Sequence, residues 1–287
     1  MISELIKNVG EKINISGGNL EHEGNLCLAS SFFAQMDPKP TTEEIELMQK
    51  MENWWIKQCS SKSLSKIEQL KIKDGKVVVP ENTAYHNLMH PTVEMIKSIS
   101  KYGILCSENF GALENVGEGR FCAFVSKTIS EPTKAQYQRI RQSGINFYLD
   151  TTNPIMQKLM SLDYFEYEKK KQNGGTLEEY PDVIKTFLDT IIEPLSKGGK
   201  DFHMDEYKPL FEYLWSAIPF GLPPELINGI EIKPYAIDKL GCSPDDLSKM
   251  FPNAVIFDKD KNVLKQPYLK KRRRIGKRDR KRDENYL

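Results

Sequence analysis

The sequence contains few cysteines, and their arrangement is not typical of a disulfide framework or a zinc site. Its five cysteines are an odd number scattered along 287 residues, and no CxxC pair occurs. Small secreted domains space their cysteines as a framework, and structural zinc sites use closely spaced cysteine pairs. We therefore expect reduced thiols, a cytoplasmic location and no zinc held by cysteine.

Long hydrophobic runs are also absent. No apolar stretch approaches the ~20 residues that cross a bilayer, and the opening MISELIKNVGEKINIS lacks the apolar centre of a signal peptide. A hydrophobic content of 39% and a charged content of 28% are typical of a soluble globular protein. At this length the chain can bury a full core in one or two domains, and we expect no membrane span.

The net charge of +1 conceals an acidic body and a basic tail. From Lys265 to the end there are eleven Lys/Arg and three acidic residues, which gives +8, whereas the rest holds 30 basic and 37 acidic residues, which gives −7. Such a charged run cannot bury enough apolar surface to pack, so residues 264–287 are predicted to be a disordered tail. Lys270–Arg282 would contact nucleic acid, an import receptor (with a nuclear location in a eukaryotic host) or anionic lipid, and a merely solubilising tail is the simplest alternative.

The body divides into a helical beginning and a mixed domain. Within residues 1–75, TTEEIELMQKMENWWIKQCS carries Thr42 as a helix cap, early glutamates and apolar residues at helical spacing. A turn at Asp74-Gly75 then opens residues 76–263, in which short apolar strands flank a charged helical insertion over 155–210. This pattern predicts an α+β fold.

The stretch Thr83–Ser107 is the most informative part of the chain. It predicts a short strand ending at His86, a helix over Thr92–Tyr102, and a Gly103-Ile104 turn into a second strand. In this order the strand-end histidine and the turn face one cleft, which suits a nucleotide-like ligand. A histidine bonded to nearby backbone is the simpler alternative.

Three segments resemble the ADP-ribosyltransferase family in the order that family has them. YHNLMHPTVEMIKSISKYGILCS resembles its first strand, helix and second strand, and GEGRFCAFVS resembles the next strand, where an aromatic ring stacks on nicotinamide. LPPELINGIEI resembles the late strand that follows the catalytic glutamate. The resemblance covers roughly residues 80–260 and implies a split β-sheet core with a large insertion.

The resemblance also implies the reaction. ADP-ribose would pass from NAD, which is a substrate here, to a protein or nucleic-acid acceptor with release of nicotinamide. Breaking the nicotinamide–ribose bond builds positive charge on the ribose, and a nearby carboxylate stabilises that charge. Whether the enzyme is a toxin, an effector or a housekeeping protein is left open.

Residue by residue, the resemblance assigns His86 to hold the dinucleotide and Phe121 to stack on it, where many members have tyrosine. Gly103 and Ser126 would complete the cofactor-binding set, although a plain surface hydroxyl is an equal alternative for Ser126. Glu212 is the first choice for the catalytic carboxylate.

Glu206 is the alternative to Glu212, and an exposed strand carboxylate without a catalytic role is a third reading of Glu212. The surrounding F-E-Y lacks the E-x-E or Q-x-E pair of arginine-modifying members, so the resemblance does not support arginine as the acceptor.

Two further hypotheses come from the residues alone. His86, His90 and Glu94 follow one another at i, i+4 spacing, and on one helix they could bind a metal for a hydrolase. Pro91 argues against that helix, because proline disrupts a helix interior. The second hypothesis is a non-enzymatic nucleic-acid-binding protein that acts through the basic tail.

Overall fold

The computed structural model describes residues 39–59, 64, 67–88, 91–104, 122–128, 144–193 and 215–267. Nine strands occur in these ranges: β1 (Lys71–Lys73), β2 (Lys76–Val78), β3 (Ala84–Leu88), β4 (Cys122–Lys127), β5 (Ile145–Leu149), β6 (Trp215–Pro219), β7 (Ile227–Ile232), β8 (Val255–Phe257) and β9 (Val263–Lys265). The helices are α1 (Thr42–Gln58), α2 (Val93–Tyr102), α3 (Pro154–Met160), α4 (Tyr164–Gln172), α5 (Asp182–Phe187), α6 (Pro234–Leu240) and α7 (Pro244–Met250). A π-helical turn (Leu188–Ile192) extends α5, and a 3-10 turn (Pro224–Leu226) precedes β7.

Seven of the strands form one sheet in the order β6-β4-β3-β5-β7-β8-β9, while β1 and β2 form a separate hairpin. Every neighbouring pair in the large sheet is antiparallel except β7 and β8, which run parallel. Helices and a multi-stranded sheet in one chain confirm the α+β class. The described part of the predicted insertion, residues 155–193, is helical as expected.

The alternation of side chains gives the sheet two faces with different cores. Ala84 and Leu88 of β3 belong to the large apolar core, together with their neighbour Phe147 on β5. Tyr85 points the other way and joins a small core with Tyr148, Leu70, Val77, Val255 and Phe257. The large core is covered by helices, and the small one by the β1–β2 hairpin and the segment leading into it.

The N-cap of helix α1 lies one residue earlier than the sequence predicts. Thr41, not Thr42, is the N-cap: its hydroxyl accepts the backbone N–H of Glu44, and the Glu44 side chain accepts the N–H of Thr41. Both threonines precede the same glutamates, so only the backbone conformation decides between them. The helix is otherwise where the sequence predicts it.

The same helix shares a core with the sheet domain. Trp55 is 5% exposed, its indole N–H donates to the carbonyl of Gly221 at 2.9 Å, and its ring lies 5.9 Å from that of Phe220. The predicted boundary between residues 75 and 76 falls inside the β1–β2 hairpin, whose turn is Asp74-Gly75. In the described residues, α1 is therefore packed with the sheet rather than separated from it.

The sheet also extends past the predicted start of the tail. β9 runs to Lys265, which pairs with Ile256 of β8, so the first two residues assigned to the tail lie in a strand. Lys270–Arg282 and the rest of residues 268–287 lie outside the described residues. Across the described ranges, none of the helices combines the length and apolar character that a membrane crossing requires.

Candidate functional site

His86 lies in the middle of β3, not at its end. The strand continues to Leu88, because β3 is a central strand with β4 on one side and β5 on the other. His86 is 3% exposed, and its cross-strand neighbour on β5 is Phe147. The expectation of a strand-end histidine is wrong by two residues, and the imidazole lies on the face of the large core.

Gly103 terminates α2 as predicted, and the structure explains why it is glycine. Its φ of +90° disfavours other residues, and a Cβ at this position would clash with the carbonyl oxygen of Leu222. Next to it, Ile104 and Leu222 exchange two backbone hydrogen bonds of 2.8 and 2.9 Å. Gly103 thus allows the end of the first motif to pair with the start of the third.

Ser126 is buried on β4, where it pairs with Tyr85 of β3 and Trp215 of β6. Directly opposed residues in a sheet project to the same face. Ser126 therefore shares the face of Tyr85, and His86 projects to the other face. The structure does not bring the Ser126 and His86 side chains together.

Phe121, Glu206, Glu212 and His90 lie outside the described residues. The stacking and catalytic roles of Phe121 and Glu212 stay predictions.

The metal hypothesis required a helix that included His86. In the structure His86 belongs to β3, whereas Glu94 lies in the first turn of α2, which is capped by Thr92 after Pro91. The two side chains therefore do not share a helix face. The described ranges contain no group of three or more His, Cys, Asp or Glu residues arranged to hold a metal.

A polar network lies on the face opposite His86, and its residues were not among those predicted from the sequence. It crosses three strands: the Asn87 amide of β3 donates to Asn146 Oδ1 of β5 at 2.7 Å, and Asn146 Nδ2 donates to Glu231 Oε1 of β7 at 3.4 Å. Tyr148 completes it, because its hydroxyl donates to Glu231 Oε2 at 2.9 Å. The signal in the sequence is an asparagine or a glutamate within each of three largely apolar strands.

Glu231 is 4% exposed and is neutralised by one lysine. Lys261, from the turn between β8 and β9, forms an ion pair with Glu231 Oε2, and its amine lies 3.3 Å from the Tyr148 hydroxyl. The same amine lies above the rings of Tyr148 and Phe257. Lys261 holds this position with a left-handed φ of +67°, which is uncommon for a residue with a side chain.

The network also shifts the acidity of Tyr148. Burial, and next the negative charge of Glu231, raise the pKa of Tyr148 well above its ordinary value. The phenol therefore stays protonated and acts as a hydrogen-bond donor rather than as a base. The arrangement fixes three strands and one turn relative to one another.

Searches against protein-family models, curated proteins and solved structures found no significant match.

Proposed function

We propose that the protein transfers ADP-ribose from NAD to a macromolecular acceptor, with an ADP-ribosyltransferase-like fold built on the large sheet. The observation that supports this most is the meeting of the three motif segments. The backbone of Ile104 pairs with that of Leu222, although 118 positions separate them in the chain. Strands β3 and β4, from the first and second motifs, are direct neighbours in the sheet.

The order of the strands also agrees with the proposed role of Glu212, which precedes β6 in the chain. β6 follows Glu212 in the chain and pairs with β4, which in turn pairs with β3 and its His86. One sheet thus joins the strand of the proposed dinucleotide-binding histidine to the strand that follows the proposed carboxylate. In this proposal His86 binds the dinucleotide, Phe121 stacks on nicotinamide, and Glu212 stabilises the positive charge that develops on the ribose.

The acceptor class is tested with labelled NAD. The full chain is incubated with NAD labelled in its adenylate part and a cell lysate, and the products are treated separately with protease and with nuclease. Label that protease releases identifies a protein acceptor, and label that nuclease releases identifies a nucleic acid. Absence of labelled macromolecules, with no nicotinamide released, would contradict the proposal.

A further inference from the structure

Asp163 joins a helix to the edge of the sheet. It is the N-cap of α4, where its Oδ1 accepts the backbone N–H of Phe165 at 3.3 Å. The same oxygen accepts the backbone N–H of Ala217 on β6 at 2.8 Å, and the Ser216 side chain also bonds to the carboxyl group. The residue is 7% exposed, so these bonds are shielded from solvent.

The position of β6 gives this contact its importance. β6 is the outermost strand on its side of the described sheet, and such strands present backbone N–H groups that no neighbouring strand satisfies. Asp163 satisfies one of them at Ala217. The carboxyl group therefore attaches the helical segment α3–α4 to the strand that follows Glu212.

No cation compensates this buried carboxyl group within the described ranges. The titratable groups that face it are Glu166 of α4 and Tyr180, and the Tyr180 hydroxyl donates to the backbone carbonyl of Asp163 at 3.2 Å. Helix α3 also packs on β6, but its Lys158 amine is bonded to Gln58 instead. An ionised carboxylate would be buried here without a counter-ion, which is costly.

Both backbone N–H bonds are made to Oδ1, and the Ser216 side chain makes a further bond to the carboxyl group. A neutral carboxyl group can keep both bonds through its carbonyl oxygen. Burial raises the pKa of Asp163 to about 7, and the hydrogen bonds from Ala217, Phe165 and Ser216 oppose that rise only in part. The proton would thus be lost close to neutral pH.

We propose that Asp163 is a proton-controlled latch between α4 and β6. The neutral group keeps the contact closed; ionisation favours opening, because water then solvates a charge that is buried without a counter-ion, although each N–H bond to a carboxylate is itself stronger. The folded chain holds this proton up to about pH 7, whereas the unfolded chain releases it near the ordinary value of 3.8. Stability therefore falls as pH rises between these values and becomes level above the higher one. Between pH 6 and pH 8 the folding equilibrium constant is expected to fall about tenfold from this group alone.

The test compares Asp163→Asn with the wild type by urea unfolding at pH 6 and pH 8. Asparagine keeps an Oδ1 acceptor and cannot ionise, so the variant should lose the tenfold change that the wild type shows. Asp182→Asn is the matched control, because Asp182 is exposed on α5 and its pKa lies below the ordinary value. This control should keep the pH dependence of the wild type.

A second measurement keeps the proposal testable if Asp163→Asn does not fold. Amide hydrogen exchange on the wild type, corrected for the intrinsic pH dependence of exchange, should show protection of the Ala217 N–H falling about tenfold from pH 6 to pH 8. Equal protection at both pH values would overturn the latch. So would an Asp163→Asn variant with the pH dependence of the wild type.

Discussion

At the scale of single residues, the Glu231–Lys261 ion pair supports the opposite-face network, which is formed by Asn87, Asn146, Tyr148 and Glu231. Glu231 is buried, accepts from Tyr148, and contacts one cation in the described part of the chain. A buried carboxylate that loses its only counter-ion is strongly destabilising. The lysine amine, in contrast, keeps partial access to water.

Lys261→Met should therefore lower the free energy of unfolding by about 2 kcal/mol, less than for a fully buried pair because the lysine is partly exposed. Lys259→Met is the control, since Lys259 is exposed in the same turn. Glu231→Gln introduced into the Lys261→Met variant should restore part of the loss, because glutamine is uncharged and still accepts the Tyr148 hydroxyl. Urea denaturation of the four proteins gives the comparison, and equal stability of the two lysine variants would contradict the network's importance.

At the scale of elements, local patterns predicted helices α1 and α2 closely, whereas strand ends and contacts between distant segments depended on long-range pairing. Helix α2 lies within one residue of its predicted start because Thr92, Pro91 and Gly103 are local signals. His86 was placed at a strand end because no local signal shows that β3 has a neighbour on each side. The same limit concealed the opposite-face network, whose members Asn87, Asn146 and Glu231 meet only through strand register.

In the candidate site too, local features could be predicted from the sequence and long-range contacts could not. The glycine that ends α2 was predictable, but its contact with Leu222 was not, since that contact depends on a pairing across more than a hundred residues. Whether Ser126 and His86 share a face likewise depends on the register of β3 against β4. A one-residue change in register reverses the face of every side chain in a strand.

Gly103→Ala tests this junction between the first and third motifs. The positive φ alone should cost about 1–3 kcal/mol of stability, and the clash with Leu222 should add to it. Gly241→Ala is the matched control, because Gly241 also has a positive φ of +59° but open space where a Cβ would lie. Thermal or urea unfolding should show a clearly larger loss at Gly103, and equal losses would show that the close approach to Leu222 is unimportant.

At the scale of the whole molecule, α1 and the sheet share one core, so we expect them to unfold together. Trp55 is the residue that joins them most directly, through its ring contact with Phe220 and its bond to Gly221. Trp55→Ala should destabilise the chain by about 3–5 kcal/mol, as large core truncations do. Trp54→Ala, at the adjacent and only partly buried position, should cost much less.

Unfolding by urea, followed by far-UV circular dichroism and by the intrinsic fluorescence of the remaining tryptophans, should then show one coincident transition for the wild type and both variants. Two separate transitions, with the sheet domain unaffected by Trp55→Ala, would instead support an independent N-terminal helical region.

The most direct test of the proposed function measures nicotinamide released from NAD by the full chain and by two glutamate variants. Glu212→Gln is expected to abolish release, because the Glu212 carboxylate would stabilise the charge that builds on the ribose, and Glu206→Gln is expected to retain it. Unchanged circular dichroism must accompany the loss. Full activity in Glu212→Gln with loss in Glu206→Gln would transfer the role to Glu206. No nicotinamide release by the wild type with any acceptor preparation would contradict the proposed ADP-ribose transfer.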